Sequence, residues 1–125
     1  GMAADLKNNR LFVACRGINE LAILDSRSGK IIASLPISEK VDGVYFDERN
    51  KYIFCSGGDG FVTIIVQKSK NDYAVLQKLS TRIGAKTMAL DKGTHNLYLT
   101  TADFEKDKIK PNSFALYIYA QKGSF

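Results

Sequence analysis

Short apolar segments recur along the whole chain, each bounded by Gly, Asn, Asp or Ser. They are rich in β-branched and aromatic residues, as in LFVAC (11–15), YIFC (52–55) and FVTIIV (61–66). No long window carries an apolar stripe with the 3.6-residue period of a helix. The pattern predicts an all-β chain of about eleven strands.

The strongest of these segments are apolar at every position, so both faces of each strand must be covered. A sandwich strand with one wet face would alternate apolar and polar residues instead. A continuous apolar run is typical of a strand with layers packed on both sides. For an antiparallel meander, this favours the stacked sheets of a β-propeller.

The predicted strands fall into three units with a repeat of 40–45 residues. They are 3–6, 11–15, 20–25 and 30–36; then 42–47, 51–56, 61–66 and 72–79; then 86–90, 97–101 and 114–120. We therefore expect one domain, 1–125, forming a partial β-propeller of about three blades at about 3–37, 41–80 and 85–120. The first two blades are four-stranded meanders, and the last is three-stranded.

The segments RLFVAC, LAILDSRSGKIIASLP and DGVYFD together resemble the YVTN-type β-propeller repeat. The later stretch GAKTMALDKGTHNLYLTTADF, followed by NSFALYIYAQ, looks like the closing blade of a longer member. The resemblance implies the C-terminal part of a propeller of roughly seven blades. It also implies a family often exported to the periplasm, most of whose members have no assigned activity. The opening residues GMAADLKNN lack the apolar core of a signal peptide, so the compartment stays open.

Charge adds little to this picture. The formal net charge is +5, but the Lys and Arg residues are spread along the chain without a block of like charges. No apolar run approaches the 18 residues that suggest a membrane span. We expect neither nucleic acid nor a membrane as a partner.

The candidate chemistry is sparse. SGGDG (56–60) lies between two strands and reads as a hairpin turn, because no helix follows to bind an anion. The carboxylates of DFEKDKIKPN (103–112) alternate with lysines and lack a turning Gly, which favours a solvated loop over a Ca²⁺ site. His95 is the only histidine, and a lone turn histidine is usually just exposed. We expect no catalytic group, metal or cofactor.

The best positional candidates lie at the mouth of the propeller channel. There, the loops into each innermost strand and the loops between second and third strands open on one face. Aligning Arg10 with Lys51 also places Cys15 and Cys55 one residue out of register, so we expect opposite faces and free thiols. The channel-mouth candidates for ligand binding are Arg16, Lys40, Asp42, Arg82, Lys86 and Asp103, with Asp59 beside them.

These features favour a non-enzymatic binding or scaffold module whose partner is a protein or a small anionic ligand. Two alternatives stay open. The chain is a piece of a longer propeller without a function of its own, or it is a lactonase-like hydrolase by analogy of fold. The hydrolase would need a metal, or a cluster of His and carboxylates, at the axis.

Three blades cannot close a ring, because propellers close with about four to eight. The outer faces of the first and third units, which we expect to carry Leu11, Phe12, Tyr98 and Tyr117, would be left in water. Such large apolar patches are rare on monomers. We therefore expect a homodimer that forms a six-bladed ring.

Overall fold

The computed structural model describes residues 1–122, which form thirteen β-strands. Three antiparallel sheets follow one another along the chain, in the orders β1-β2-β3-β4, β5-β6-β7-β8 and β9-β10-β13, with a separate β11-β12 hairpin. This confirms the predicted all-β partial propeller of about three blades, the last with three strands. The strands are β1 Met2–Asp5, β2 Arg10–Cys15, β3 Glu20–Asp25, β4 Ile31–Pro36, β5 Val41–Asp47, β6 Tyr52–Gly57, β7 Phe61–Ser69, β8 Asp72–Ser80, β9 Thr87–Leu90, β10 Leu97–Thr101, β11 Phe104–Glu105, β12 Lys108–Ile109 and β13 Ala115–Tyr119.

The turn between the first two strands of each blade sets the true register of the repeat. Asn9, Lys51 and His95 occupy the same turn position and share a left-handed backbone, with φ between 54° and 63°. Arg10 closes the first turn against Asp5, and Tyr52 closes the second against Asp47. The repeat is therefore 42 residues between these blades rather than 41.

This register corrects the expectation for the two cysteines. Charge similarity pairs Arg10 with Lys51 in the sequence, but Lys51 fills the left-handed position of Asn9. With the extra residue, Cys55 corresponds to Val13, and Cys15 lies two positions further along the same face. Their side chains point to the same side of their respective blades, not to opposite sides. Both thiols are free, as expected.

Two apolar layers hold the blades together. The first packs Phe12, Leu21 and Ile23 of blade one against the second blade, where Ile53 and Ile65 are fully buried. The second layer lies between blades two and three. Its buried members are Phe54, Val62, Ile64, Ala85, Met88, Leu97 and Leu99.

Two of the four residues predicted to lie on the outer faces, Phe12 and Tyr117, face the second blade instead. Phe12 is fully buried toward the second blade, because it alternates with Leu11 along β2. Tyr117 pairs with Leu99 and so shares the side of the sheet that faces the second blade. Leu11 and Tyr98 do lie on the open faces of the first and third blades.

Candidate functional site

Two kinds of connection emerge at one end of the sheets. One kind leads into the first, innermost strand of a blade, and the other joins the second and third strands of a blade. This follows from the antiparallel order, in which successive turns alternate between the two ends. We call this the loop end, and the opposite one the turn end. The loop end comprises 16–19, 37–40, 58–60, 81–86 and 102–114.

Backbone hydrogen bonds join three of these connections in a row. The N–H of Gly58 donates to the carbonyl of Lys40 at 3.1 Å, and the N–H of Gly84 donates to the carbonyl of Gly58 at 2.9 Å. A side chain at Gly57 would lie 2.5 Å from the Ser38 Cβ. Glycine there permits the close approach of these loops. The structure thus places Lys40 on one side of the 58–60 turn, and the loop that carries Arg82 and Lys86 on the other side.

Arg82 of connection 81–86 and Asp103 of connection 102–114 lie close together at the loop end. Arg82 Nη2 lies 3.9 Å from Asp103 Oδ1, and both side chains are more than half exposed. The guanidinium carbon of Arg82 also lies 5.6 Å from the centre of the Tyr117 ring. The aromatic face and the carboxylate hold the cation at the rim without burying it.

Lys86 and Asp42 flank the inner strands. The hydroxyl of Ser56 donates to the Lys86 carbonyl at 2.6 Å and accepts from the Gly43 N–H at 3.0 Å, which joins blades two and three. Asp42 is exposed at the start of β5. It lines a shallow depression of about 330 Å³ on the inner strands, together with Met2 and Thr87.

Arg16 is exposed in the β2–β3 turn. Its turn joins the next connection through the Ile37 N–H, which donates to the Asn19 carbonyl at 3.0 Å. Within residues 1–122, no side-chain hydrogen bond or ion pair occupies Arg16, Lys40, Asp42 or Lys86. Four of the six predicted positions therefore present uncommitted charged groups.

The SGGDG segment forms the β6–β7 hairpin, as predicted. Asp59 Oδ1 accepts from the Phe61 N–H at 3.2 Å, and Oδ2 accepts from the Glu39 N–H at 2.9 Å. A carboxylate thus already occupies two of the local donors, which disfavours an external anion at this turn.

The segment 103–112 projects from the loop end as a two-stranded hairpin rather than an open loop. Lys106 and Asp107 form its tip in left-handed conformations, with φ of 50° and 65°. In residues 1–122 no three His, Cys, Asp or Glu side chains gather as a metal site would require.

Sequence reasoning missed an apolar cluster on and beside this hairpin. Phe104 and Ile109 face each other across the two strands, 67% and 63% exposed. Phe114 and Ile83 add exposures of 71% and 83%. The placement of Phe104 and Ile109 between charged residues is the one signal that could have revealed them. Exposed aromatic and aliphatic groups beside arginine are typical of binding surfaces.

At the turn end, His95 is not the exposed histidine that its turn suggested. Its Nδ1 lies 2.7 Å from Asp47 Oδ2, and both side chains are largely buried. Asp5, the counterpart of Asp47, accepts from Gln67 of the second blade at 3.0 Å. Burial raises the pKa of Asp5, but hydrogen bonds from Asn8 and Gln67 outweigh it and lower that pKa overall. These contacts join neighbouring blades.

A scan against protein-family models finds no match, and neither does a search of curated proteins. Solved structures do match. The β-propeller domain of Cps50 (Swd1) from Myceliophteria thermophila aligns with a TM-score of 0.71 at 14% identity, over 95% of this chain and 38% of that one. The dihydro-heme d1 dehydrogenase NirN, in complex with DHE, aligns with a TM-score of 0.67 at 18% identity, over 91% of this chain and 22% of that one.

These likenesses show that the fold is that of a β-propeller. The chain spans well under half the length of either neighbour, and it forms an open part of such a ring. Within residues 1–122 there is no helix of the length and apolarity that crossing a membrane demands.

Proposed function

We propose that this chain is a non-enzymatic binding or scaffold module of YVTN type, and that its loop end binds a protein partner or a small anionic ligand. The observation that carries the proposal is the pairing of uncommitted cations with an exposed apolar cluster. Lys40 and Lys86 lie in the connections on either side of the 58–60 turn. The exposed Ile83 follows Arg82 in the chain, and the exposed Phe104 follows Asp103, which lies 3.9 Å from Arg82. Apolar anchors supply binding energy, and the charges around them direct approach.

A capture experiment with two sets of variants tests this proposal. The first removes charge with Arg16→Ala, Lys86→Ala and Asp103→Ala together, and the second removes anchors with Phe104→Ser and Ile109→Ser. The matched control is Leu6→Ser, because Leu6 is 85% exposed at the turn end. We expect both sets, and not the control, to lose any protein that wild type retains. Equal retention by all variants would overturn the loop end as the binding surface.

We further propose that two copies close into one six-bladed ring. In blades two and three, the face toward the preceding blade carries Ile53, Cys55, Leu97 and Leu99, all at most 3% exposed. The residues at the matching positions of blade one are Leu11 and Val13, which lie on its open face. This face has the apolar surface of a buried blade, but no element among residues 1–122 covers it.

The third blade has the complementary open face. Phe12 and Phe54 point toward the following blade and are at most 6% exposed. Their counterpart, Tyr98, lies on a face with Leu116 and Ile118, which are 53% and 58% exposed. Packing this face on the first blade of a second copy repeats the contact already made twice within the chain. Full burial of an exposed apolar side chain contributes about 1.5–3 kcal/mol, and each of these half-exposed side chains contributes proportionately less.

Two face variants test this mode of closure. Val13→Asp places a carboxylate in the open face of the first blade, and Tyr98→Asp places one in the open face of the third. Each alone should prevent dimers, because every junction of the ring uses one face of each kind. Mixed together, the two variants should form a weaker one-junction dimer. If one variant alone dimerises fully while the other does not, the interface joins the same open face of two copies. The proposed ring would then be wrong.

A further inference from the structure

The outer edge of the third blade is open among the described residues. In the first two blades the third strand is paired on both sides, β3 with β2 and β4, and β7 with β6 and β8. The corresponding strand of the third blade, β13, pairs only with β10 among the described residues. Alternate N–H and C=O groups along Ala115–Tyr119 therefore point outward without a strand to receive them.

A cleft of about 540 Å³ lies directly beside this edge, between β13 and the second blade. Its floor is formed by Phe54, Ile64 and Leu97, which belong to the apolar layer between blades two and three. Leu76 of β8 lines its outer wall and is 52% exposed. A strand added to β13 would place every second side chain in this cleft and extend an existing interface.

The charges around the cleft restrict its occupant. Lys122 and His95 line it, and among residues 1–122 no Asp or Glu side chain does. His95 is already bonded to Asp47, which leaves Lys122 as the cation that faces a bound chain. An occupant with a carboxylate near one end complements this cation, whereas a lysine there would be repelled.

From these observations we propose that β13 and its cleft bind an extended segment of a partner polypeptide as a fourth strand. The segment carries apolar residues at alternate positions and an acidic residue near one end. It adds in the antiparallel sense, as β4 and β8 do in the other two blades. This inference is independent of the loop end and of ring closure.

The chain's own β8 supplies the probe, because it fills the same position in the second blade and begins with an aspartate. A labelled peptide of residues 72–80, DYAVLQKLS, is titrated into the full chain, and amide exchange is followed in β13. We expect saturable binding, and at least tenfold slower exchange of the outward amides of Ala115–Tyr119. A peptide with Val75→Pro should bind at least tenfold more weakly, because proline blocks strand pairing.

Two variants of the protein locate the peptide. Leu76→Lys, in the cleft wall, should weaken binding at least tenfold. Val75→Lys is the matched control, because Val75 is the exposed neighbour on β8 that does not line the cleft. Its binding should stay within twofold of wild type.

Three results would overturn the inference. They are no change in β13 exchange at millimolar peptide, equal binding of the proline peptide, or protection of β13 that rises with the concentration of the Val13→Asp protein, in which the proposed ring cannot close. The last result would identify a second copy as the occupant. Failure here, with dimers still present by light scattering, would leave the proposed ring untouched.

Discussion

His95 Nδ1 and Asp47 Oδ2 lie 2.7 Å apart and join the third blade to the second. The two residues sit in equivalent turns, 48 positions apart. Asp47 also accepts from the backbone N–H groups of Arg49 and Asn50, so it orders its own turn while it holds its neighbour. A blade that lacks a fourth strand depends more on such a contact than a complete one does.

Removing this pair should loosen the third blade. His95→Asn keeps a residue that tolerates the left-handed backbone but shortens the side chain. We expect a loss of about 1.5–3 kcal/mol in the free energy of unfolding, as for other hydrogen bonds to charged groups. The control is Lys92→Asn, an exposed residue of the same turn, which should change this free energy by less than about 0.5 kcal/mol. A double-mutant cycle with Asp47→Asn that gives no coupling energy would contradict this role.

Arg10 should be the costliest polar residue to replace at the turn end. It is 5% exposed, donates from Nε to the Lys70 carbonyl and from Nη2 to Asn71 Oδ1, both at 2.7 Å, and lies 3.3 Å from Asp25. Lysine cannot reproduce this fork of donors. We expect Arg10→Lys to lower the free energy of unfolding by at least about 2 kcal/mol in urea titrations. An exposed control, Arg27→Lys, should change it by less than about 0.5 kcal/mol.

Asp5 should make stability depend on pH in the acidic range. Its pKa is lowered in the folded chain, so it binds its proton more readily when unfolded. Its contribution is therefore fully present above the unfolded pKa, near 3.9, and is lost as the pH falls through the folded value. The difference in unfolding free energy between wild type and Asp5→Asn should shrink as urea titrations move from pH 6 to pH 3. A constant difference would show that its charge is not involved.

The two thiols should differ sharply in reactivity. Cys55 is fully buried, and burial raises its pKa to about 12, so it should resist iodoacetamide until the chain unfolds. Cys15 is half-buried on the open face of the first blade, beside the residues proposed to meet a second copy. Its alkylation rate should rise on dilution as dimers separate. A rate independent of protein concentration would count against burial of that face.

The sequence was informative wherever apolar side chains alone decide the structure. The continuous apolar runs of β2, β6 and β7 predicted both the strands and their coverage on two sides. The repeat register could not be read in this way, because it depends on the left-handed backbone of Asn9, Lys51 and His95. Asn, Lys and His differ in chemistry, and they share this position because the turn requires a left-handed backbone there.

The sequence predicts which charged loop residues lie together at one end of the sheets, but it does not predict the exposed apolar residues beside them. Chain order puts Lys40, Arg82 and Lys86 at one end of any such meander. The apolar cluster was missed because Phe104 and Ile109 lie in a segment whose alternating charges favoured a solvated loop, whereas in the structure they face each other across a short hairpin. The Asp47–His95 contact joins residues from different blades, and no local pattern records it.

Ring closure by two copies is tested most directly by light scattering behind a sizing column, with the chain at micromolar concentration. Ring closure predicts one symmetric peak at twice the 13.8 kDa mass of the chain, and loss of that peak in Val13→Asp. A folded, monodisperse monomer with its open faces in water would contradict the proposed ring. Polydisperse aggregates would contradict it too, and would indicate that further blades of a longer chain normally cover these faces.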